Sequence, residues 1–319
     1  MRERRSAERT PARGENLIPK KKYFLVFEGA KTEEIYFNAF KDKYLYNKLV
    51  DIIPLIRGYS ETGFSNPEKM FEMIQCNLEE QKSQNFSYQT LIDWIIGYFA
   101  DNKILSMREK DIKDTLEKIC RYILNVKLED TVNSTKLRQE INRILNFLNQ
   151  YISIRWKINA QEIADSIISS GKIEYTEGFD QIIIIADRDK GSFTTQQYEK
   201  LINDCNRKNI KLCITNPCFE FWLLMHFDAV RTIDQGKMLQ NPKITDEVTY
   251  CHDVLRQNFN GYHKNSYNAA LLMPKLKNAI ENEKLFCEDI IGLKTKLGSN
   301  LGSLIMELGL NFHKLKLQV

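Results

Sequence analysis

The sequence has no apolar run of the roughly 18 residues that a membrane-spanning helix requires. The longest candidate, FEFWLLMHF at 219–227, is interrupted by Glu220 and His226. The basic N-terminus is not followed by the apolar core of a signal peptide, so the sequence gives no indication of export. We therefore expect a cytoplasmic protein that makes no contact with a membrane.

Cysteine is present, but never in a pattern typical of a metal site or a disulfide framework. The seven cysteines, at positions 76, 120, 205, 213, 218, 251 and 287, include no CxxC motif and no Cys/His pairing. This usage suits a reducing compartment, and we interpret the cysteines as packing residues.

Three motifs of common enzyme classes are also missing. The sequence contains neither GxxxxGK[ST] nor GxGxxG, which excludes ATP hydrolysis by a P-loop and dinucleotide binding of the usual kind. No glycine-flanked serine nucleophile is present.

The excess of positive charge is confined to one end of the chain. The formal net charge is +4, yet residues 1–22 hold eight Lys/Arg against three Asp/Glu. The other 297 residues carry 38 basic and 39 acidic groups. We interpret residues 1–20 as a disordered basic leader that either contacts nucleic-acid phosphates or only aids solubility.

Short apolar segments alternate with helical patterns in two parts of the chain. Strands are predicted at 22–29, 49–56, 179–187 and 210–215, and helices at 31–45, 67–81 and 217–227, with Thr32 as the N-cap of the first. This alternation predicts an α/β fold with a mostly parallel, Rossmann-like sheet. Residues 82–178 show helical periodicity and no clear strand, and the last ninety residues are mostly helical.

These patterns divide the chain into three parts. After the leader, residues 21–81 and 179–319 form the predicted α/β core with its helical C-terminal region. Residues 82–178 form a predicted all-helical insertion of three to five helices.

Two of the predicted buried strands end in carboxylates. The first ends at Glu28, which is followed by Gly29, and the segment IIIIADRDK at 182–190 ends at Asp187 and Asp189. Ligands of parallel sheets lie beyond the carboxyl ends of the strands, and residues i and i+2 of an extended segment point the same way. If the two strands are neighbours, the three carboxylates converge and a hard cation such as Mg²⁺ would neutralise them. The alternative is an acidic loop whose charges pair with Arg188 and Lys190.

The arrangement resembles the Toprim domain, in which Glu-Gly follows the first strand and DxD follows a later one. The finer resemblance is to the RloB-like family of prokaryotic defence proteins. The segments that carry it are FEGAKTEEIYF at 27–37, ADRDK at 186–190, NPCFEFWLLMHF at 216–227 and GYHKNSY at 261–267. It covers residues 20–80 and 178–270, and it does not explain the helical insertion.

The resemblance implies a Toprim-like metal site for Mg²⁺, with Mn²⁺ as the alternative ion. Glu28 matches the glutamate that acts as a general acid or base or as a metal ligand, while Asp187 and Asp189 match the metal-binding pair. Glu33 and Glu220 are candidates for further ligands. Each of them alternatively only favours the positive N-terminus of its own helix.

Four residues are candidates for binding substrate phosphate. Gly29 leaves room for a phosphate, and Lys31 and Arg188 are cations that flank the acids. Lys264 is a candidate because the family has a similar lysine. Surface counter-charges are the alternative explanation for Lys31 and Arg188.

Together these features predict a metal-dependent nuclease of anti-phage defence that hydrolyses DNA or RNA, including tRNA. The family's usual gene neighbours imply a partner ATPase that controls it. The alternative is a non-catalytic binding subunit of a defence complex, with a degenerate Toprim site.

Overall fold

A computed structural model describes residues 21–27, 31–45, 50–55, 67–101, 109–151, 160–171, 175–189, 191, 193–246 and 248–308. Its centre is a five-stranded sheet in the order β2-β1-β5-β6-β7. The strands of this sheet are β1 (Lys21–Phe27), β2 (Val50–Leu55), β5 (Gln181–Asp187), β6 (Lys211–Asn216) and β7 (Gly298–Ser299). The basic leader, residues 1–20, lies outside the described residues.

The first four of these strands run parallel. β1 pairs with β2 on one side and with β5 on the other, and β5 pairs with β6. Phe27 pairs with Ile185, and Asp187 pairs with Thr215. The predicted α/β class and the mostly parallel sheet are confirmed, and β1 and β5 are neighbours.

Both faces of the sheet are covered because the middle positions of the central strands are all apolar. Leu25 and Ile183 lie on one face, and Val26 and Ile184 lie on the other, and all four are fully buried. This double burial is the pattern of a parallel sheet with helices on both sides.

Twelve α-helices lie in the described part of the chain, and none of them is long and apolar enough to cross a lipid bilayer. In chain order they are α1 (Thr32–Tyr44), α2 (Pro67–Ser83), α3 (Tyr88–Asp101), α4 (Glu109–Lys118), α5 (Leu137–Tyr151), α6 (Ala160–Gly171), α7 (Thr195–Arg207), α8 (Phe219–Leu224), α9 (Gln235–Gln240), α10 (Tyr250–Asn258), α11 (Leu276–Glu283) and α12 (Leu301–Glu307).

The helices form two layers around the sheet. The first layer packs on Leu25 and Ile183 and includes α1, α8, α10, α11 and α12. The second packs on Val26 and Ile184 and includes α2 and α7. The aromatic side chains of α1 and α8 lie in the first layer, where Tyr36 stacks edge-on against Trp222.

Residues 86–167 contain a third apolar cluster, built mainly from α3, α4, α5 and α6. The prediction of helices without strands is corrected in one respect. β3 (Asn85–Ser87) and β4 (Thr131–Asn133) pair as a short antiparallel two-stranded sheet. Strands of three residues are too short for their periodicity to show in the sequence.

The last strand, β7, pairs antiparallel with β6 and lies at the edge of the sheet. This strand lies in the last ninety residues, which the sequence predicts to be mostly helical. Its two residues are held by the paired backbone, since Thr215 lies opposite Ser299 and Asn216 lies opposite Gly298.

Candidate functional site

The candidate site lies at the carboxyl end of the central strands, where Asp187 ends β5. The Asp187 side chain is half-buried, and its Oδ1 accepts a hydrogen bond from the backbone N–H of Phe219 at 2.8 Å. Phe219 is the first residue of α8, which follows β6. One oxygen of Asp187 is thus oriented by a backbone N–H of α8, the helix that follows the neighbouring strand β6.

Glu220 is the next residue of α8 and is almost fully buried. Its Oε1 lies 3.7 Å from the Lys264 Nζ and 3.4 Å from the Tyr262 hydroxyl. The carboxylate therefore faces a cation and a hydroxyl donor that come from the segment after α10.

Three carboxylates act electrostatically on the Lys264 ammonium group. Glu220 raises the pKa of Lys264 most, and Asp187 and Glu33 raise it further, while partial burial acts in the opposite direction. The Lys264 side chain nevertheless keeps 61% of its surface exposed. A cation that is stabilised by acids and still open to solvent can also contact an incoming anion.

Glu33 lies in the first turn of α1 and is buried. The preceding residue, Thr32, corrects one prediction, because it is the first helical residue and not a side-chain N-cap. Its hydroxyl instead donates to Asn265 Oδ1 at 3.0 Å. The start of α1 is therefore attached to the segment that carries Lys264.

A second bond joins the same two segments. The Tyr267 hydroxyl donates to the Thr32 carbonyl at 2.7 Å. Burial raises the pKa of this hydroxyl, and Glu33 and Glu220 raise it further. Tyr267 therefore remains a protonated donor at neutral pH.

Asp189 and Arg188 follow Asp187 but differ from it in environment. Asp189 is exposed beyond the end of β5, and its Oδ1 accepts from the Gly191 N–H at 2.9 Å. Arg188 is 3% exposed, and its guanidinium donates to the backbone carbonyls of Phe193 and Lys294.

The position of Arg188 differs from the predicted phosphate contact. Its guanidinium stacks on the rings of Phe193 and Tyr198, which belong to the apolar cluster on the opposite face of the sheet from α8. Burial also lowers its pKa. A guanidinium whose donors face backbone carbonyls in the core supports the fold. We therefore do not propose Arg188 as a phosphate contact.

The sequence also predicts Lys31, Glu28 and Gly29 as residues of the site. Lys31 is exposed directly before α1. Glu28 and Gly29 follow β1 in the sequence but lie outside the described residues. Their convergence with Asp187 therefore stays a prediction.

The donor chemistry of the site fits a hard divalent cation. Among the described residues, no three His, Cys, Asp or Glu side chains lie close enough together to hold a metal ion. Mg²⁺, however, is commonly bound through one or two carboxylates together with water and substrate phosphate. Asp187 fits this mode of binding, with one of its oxygens held by a backbone N–H. Glu28 is the second ligand that the sequence predicts.

Sequence reasoning named Lys264 and Glu220 but missed the residues that bring them together. Asn265 and Tyr267 lie within the GYHKNSY segment, so the segment itself was the available signal. Their partner Thr32 is more than 230 residues away in sequence. No local pattern indicates a contact over such a separation.

Comparison with known families agrees with the motifs at this edge of the sheet. A family model described as RloB-like protein matches residues 23–308. The chain therefore belongs to the RloB-like family, and the resemblance drawn from its motifs is confirmed. Comparison with curated proteins and with solved structures gives no match.

Proposed function

We propose that this RloB-like protein is a metal-dependent nuclease that hydrolyses phosphodiester bonds of DNA or RNA. The observation that carries the proposal is that Asp187 and the Glu220–Lys264 ion pair lie together at the carboxyl end of a parallel sheet, because Asp187 accepts from the backbone N–H of Phe219, the residue before Glu220. Ligand sites of such sheets lie at this end of the strands. Acidic groups beside a partly exposed cation suit a phosphodiester and its counter-ion.

Each side chain has a distinct role in this proposal. Asp187 and Glu28 hold Mg²⁺, or Mn²⁺, and Asp189 completes the ligand set of the DxD motif. The bound ion supplies electrostatic stabilisation of the phosphodiester oxygen on which negative charge develops. In the alternative role that the sequence predicts for it, Glu28 is not a metal ligand and accepts a proton from the attacking water as a general base.

Lys264 and Glu220 act on the substrate side of the proposed site. The Lys264 ammonium donates to a non-bridging phosphate oxygen, and Glu220 holds that ammonium in place through their 3.7 Å contact. Because Tyr262 also donates to Glu220, the carboxylate keeps its orientation when Lys264 turns toward the substrate. Lys31, exposed at the start of α1, contacts a neighbouring phosphate.

Control by a partner ATPase in anti-phage defence belongs to the same proposal. Outside residues 1–22 the chain has slightly more acidic than basic groups, so its affinity for long duplexes is weak without help. The partner, or the basic leader, supplies the missing phosphate contacts.

The test is cleavage of labelled DNA, total RNA and tRNA by the purified protein, with and without the partner ATPase. The reactions contain Mg²⁺, Mn²⁺ or a chelator. We expect metal-dependent cleavage that Glu28→Ala or Asp187→Asn lowers by about 10²-fold or more, the usual effect of losing an acid–base or charge-stabilising group.

The matched control is Asp228→Asn, which removes a carboxylate that is 83% exposed and that, within the described part of the chain, forms an ion pair with Arg231 on the same short helical turn. This variant should cleave as the wild type does. If no substrate is cut under any condition, the nuclease proposal is wrong. Retained binding of nucleic acid or of the ATPase would then favour a binding subunit.

A further inference from the structure

We infer that Thr32, Asn265 and Tyr267 form a clamp that positions Lys264 over the carboxylates of the site. We call these three residues the Thr32 clamp. The inference rests on the proposed function, because it assigns the clamp to the same site. The three are positioning residues, since their hydrogen bonds join two segments of the site and the proposal assigns none of them a contact with the substrate.

The clamp consists of two hydrogen bonds on a single buried residue. The Thr32 hydroxyl donates to Asn265 Oδ1 at 3.0 Å, and the Thr32 carbonyl accepts from the Tyr267 hydroxyl at 2.7 Å. Thr32 is 4% exposed, Tyr267 is half-buried and Asn265 is exposed, so both bonds are partly shielded from water. Shielded bonds of this kind hold two segments in one geometry.

Lys264 lies on the turn that the clamp closes. Ser266 N–H donates to the His263 carbonyl at 2.9 Å, and Asn265 adopts a left-handed conformation with φ of 65°. Asparagine tolerates that conformation better than most residues. The turn has no helix or long strand to stiffen it, so its position depends on the contacts at its two ends.

The two ends of the turn are hydrogen-bonded to different helices, α8 and α1. On one side, Tyr262 donates to Glu220 of α8 at 3.4 Å. On the other side, Asn265 and Tyr267 bind Thr32 at the start of α1. Lys264 lies between these attachments, so the clamp sets its position relative to both Glu220 and Glu33.

The Thr32 hydroxyl is used in the contact with Asn265 and not at the start of its own helix. Thr32 is the first residue of α1, directly after the N-cap position at Lys31, and α1 begins without a side-chain cap. The hydroxyl donates to Asn265 Oδ1. The clamp also connects two of the motif segments physically. Thr32 belongs to FEGAKTEEIYF at 27–37, and Asn265 and Tyr267 belong to GYHKNSY at 261–267.

The test uses substitutions that remove single atoms of the clamp. Thr32→Val removes the hydroxyl and keeps the shape, Thr32→Ser restores the hydroxyl, and Tyr267→Phe removes the second donor. The matched control is Tyr44→Phe, because Tyr44 is also on α1 and donates to a backbone carbonyl, that of Met273.

Two measurements are made on each variant. Hydrogen exchange reports the stability of residues 261–267 without reference to activity. Steady-state cleavage reports kcat/KM, and each substitution is also made together with Lys264→Met.

We expect faster exchange at 261–267 in Thr32→Val and Tyr267→Phe, and wild-type exchange in Thr32→Ser and Tyr44→Phe. Thr32→Val should lower kcat/KM by about 10-fold, since small misplacement of a reacting or binding group costs one to two orders of magnitude. Thr32→Ser should restore the rate. In the Lys264→Met background, Thr32→Val should lower the rate no further.

Two results would overturn the inference. One is wild-type exchange at 261–267 in both clamp variants. The other is an equal loss of rate from Thr32→Val with and without Lys264, which would mean that Thr32 acts by another route. If the wild type cleaves no substrate, the proposed function fails, and the exchange measurement still decides whether the clamp exists.

Discussion

At the scale of single residues, His226 shows how this fold treats a buried polar group. His226 is fully buried at the end of α8, and its Nδ1 donates to the carbonyls of Trp222 and Leu223. Its Nε2 lies 3.1 Å from the Tyr36 hydroxyl, which donates to it. Both ring nitrogens are therefore bonded in the neutral form, and burial lowers the pKa of His226 to about 4.

This shift predicts that acid destabilises the protein through His226. Between pH 6.5 and 4 the unfolded state binds the proton and the folded state does not, so stability falls as the pH drops through that range. The full shift corresponds to about 3 kcal/mol. Chemical unfolding of the wild type and of His226→Gln at pH 7 and pH 4.5 measures it, because glutamine does not titrate there.

We expect the loss on acidification to be smaller in His226→Gln by roughly 2–3 kcal/mol. Equal losses in the two proteins would contradict the assignment of His226 as a buried neutral group. Above pH 6.5 the contribution of His226 should not change.

Some site residues could be predicted from the sequence, and others could not. Asp187 and Glu220 follow from the rule that strand ends and the helix starts after them meet at one edge of a parallel sheet. Arg188 was assigned to the same edge, although it follows Ala186 on the opposite face by the alternation along a strand. The contact of Thr32 with Tyr267 has no local signal, because it depends on where two distant segments end in space.

At the scale of secondary-structure elements, the edge strand β7 depends on one glycine. A Cβ atom on Gly298 would lie 1.9 Å from the Cys287 carbonyl oxygen and 2.7 Å from the Cys287 carbonyl carbon. These are backbone atoms, which cannot rotate away as a flexible side chain does. Cys287 and Gly298 also form a parallel bridge, so the close approach is part of the pairing.

We therefore predict that Gly298→Ala destabilises the protein by about 3 kcal/mol, as overpacking against a rigid neighbour does. Thermal or chemical unfolding measures the change. The control is Gly236→Ala in α9, where the nearest atom to a new Cβ is a side-chain oxygen of Asp234 at 3.4 Å. If the two variants have the same stability, the close approach at Gly298 is not a constraint.

The long elements were predictable, and the short ones were not. The apolar runs at 181–187 and 211–216 and the periodic run at 67–83 extend over enough residues for their pattern to be clear. β7 has two residues and β3 and β4 have three each, so pairing and not periodicity defines them. Such elements form because a neighbour presents unpaired backbone groups.

At the scale of the whole molecule, the buried apolar residues among those that the structure describes form three clusters. Two of them cover the faces of the sheet, and the third lies within residues 86–167. Glu80 of α2 adds a polar attachment, because its carboxylate accepts from the Ser87 N–H at 2.9 Å and from the Thr90 hydroxyl at 2.7 Å.

We predict that residues 78–178 fold without the rest of the chain. The segment contains the whole third cluster and keeps Glu80, so it can bury its apolar helix faces by itself. Circular dichroism and urea unfolding of the isolated segment test this. A helical spectrum with a cooperative transition is expected, and a gradual, non-cooperative change would show that the cluster needs the sheet.

The pairing of β1 with β5 also has a consequence for synthesis on the ribosome. Tyr23 pairs with Gln181, so the first strand has no partner on that side until about 160 further residues have been translated. At typical rates of about 5–20 residues per second, this delay lasts roughly 10–30 s. During that interval a nascent chain exposes the edge of β1 to other polypeptides, and chaperone binding near the N-terminus would be most useful then.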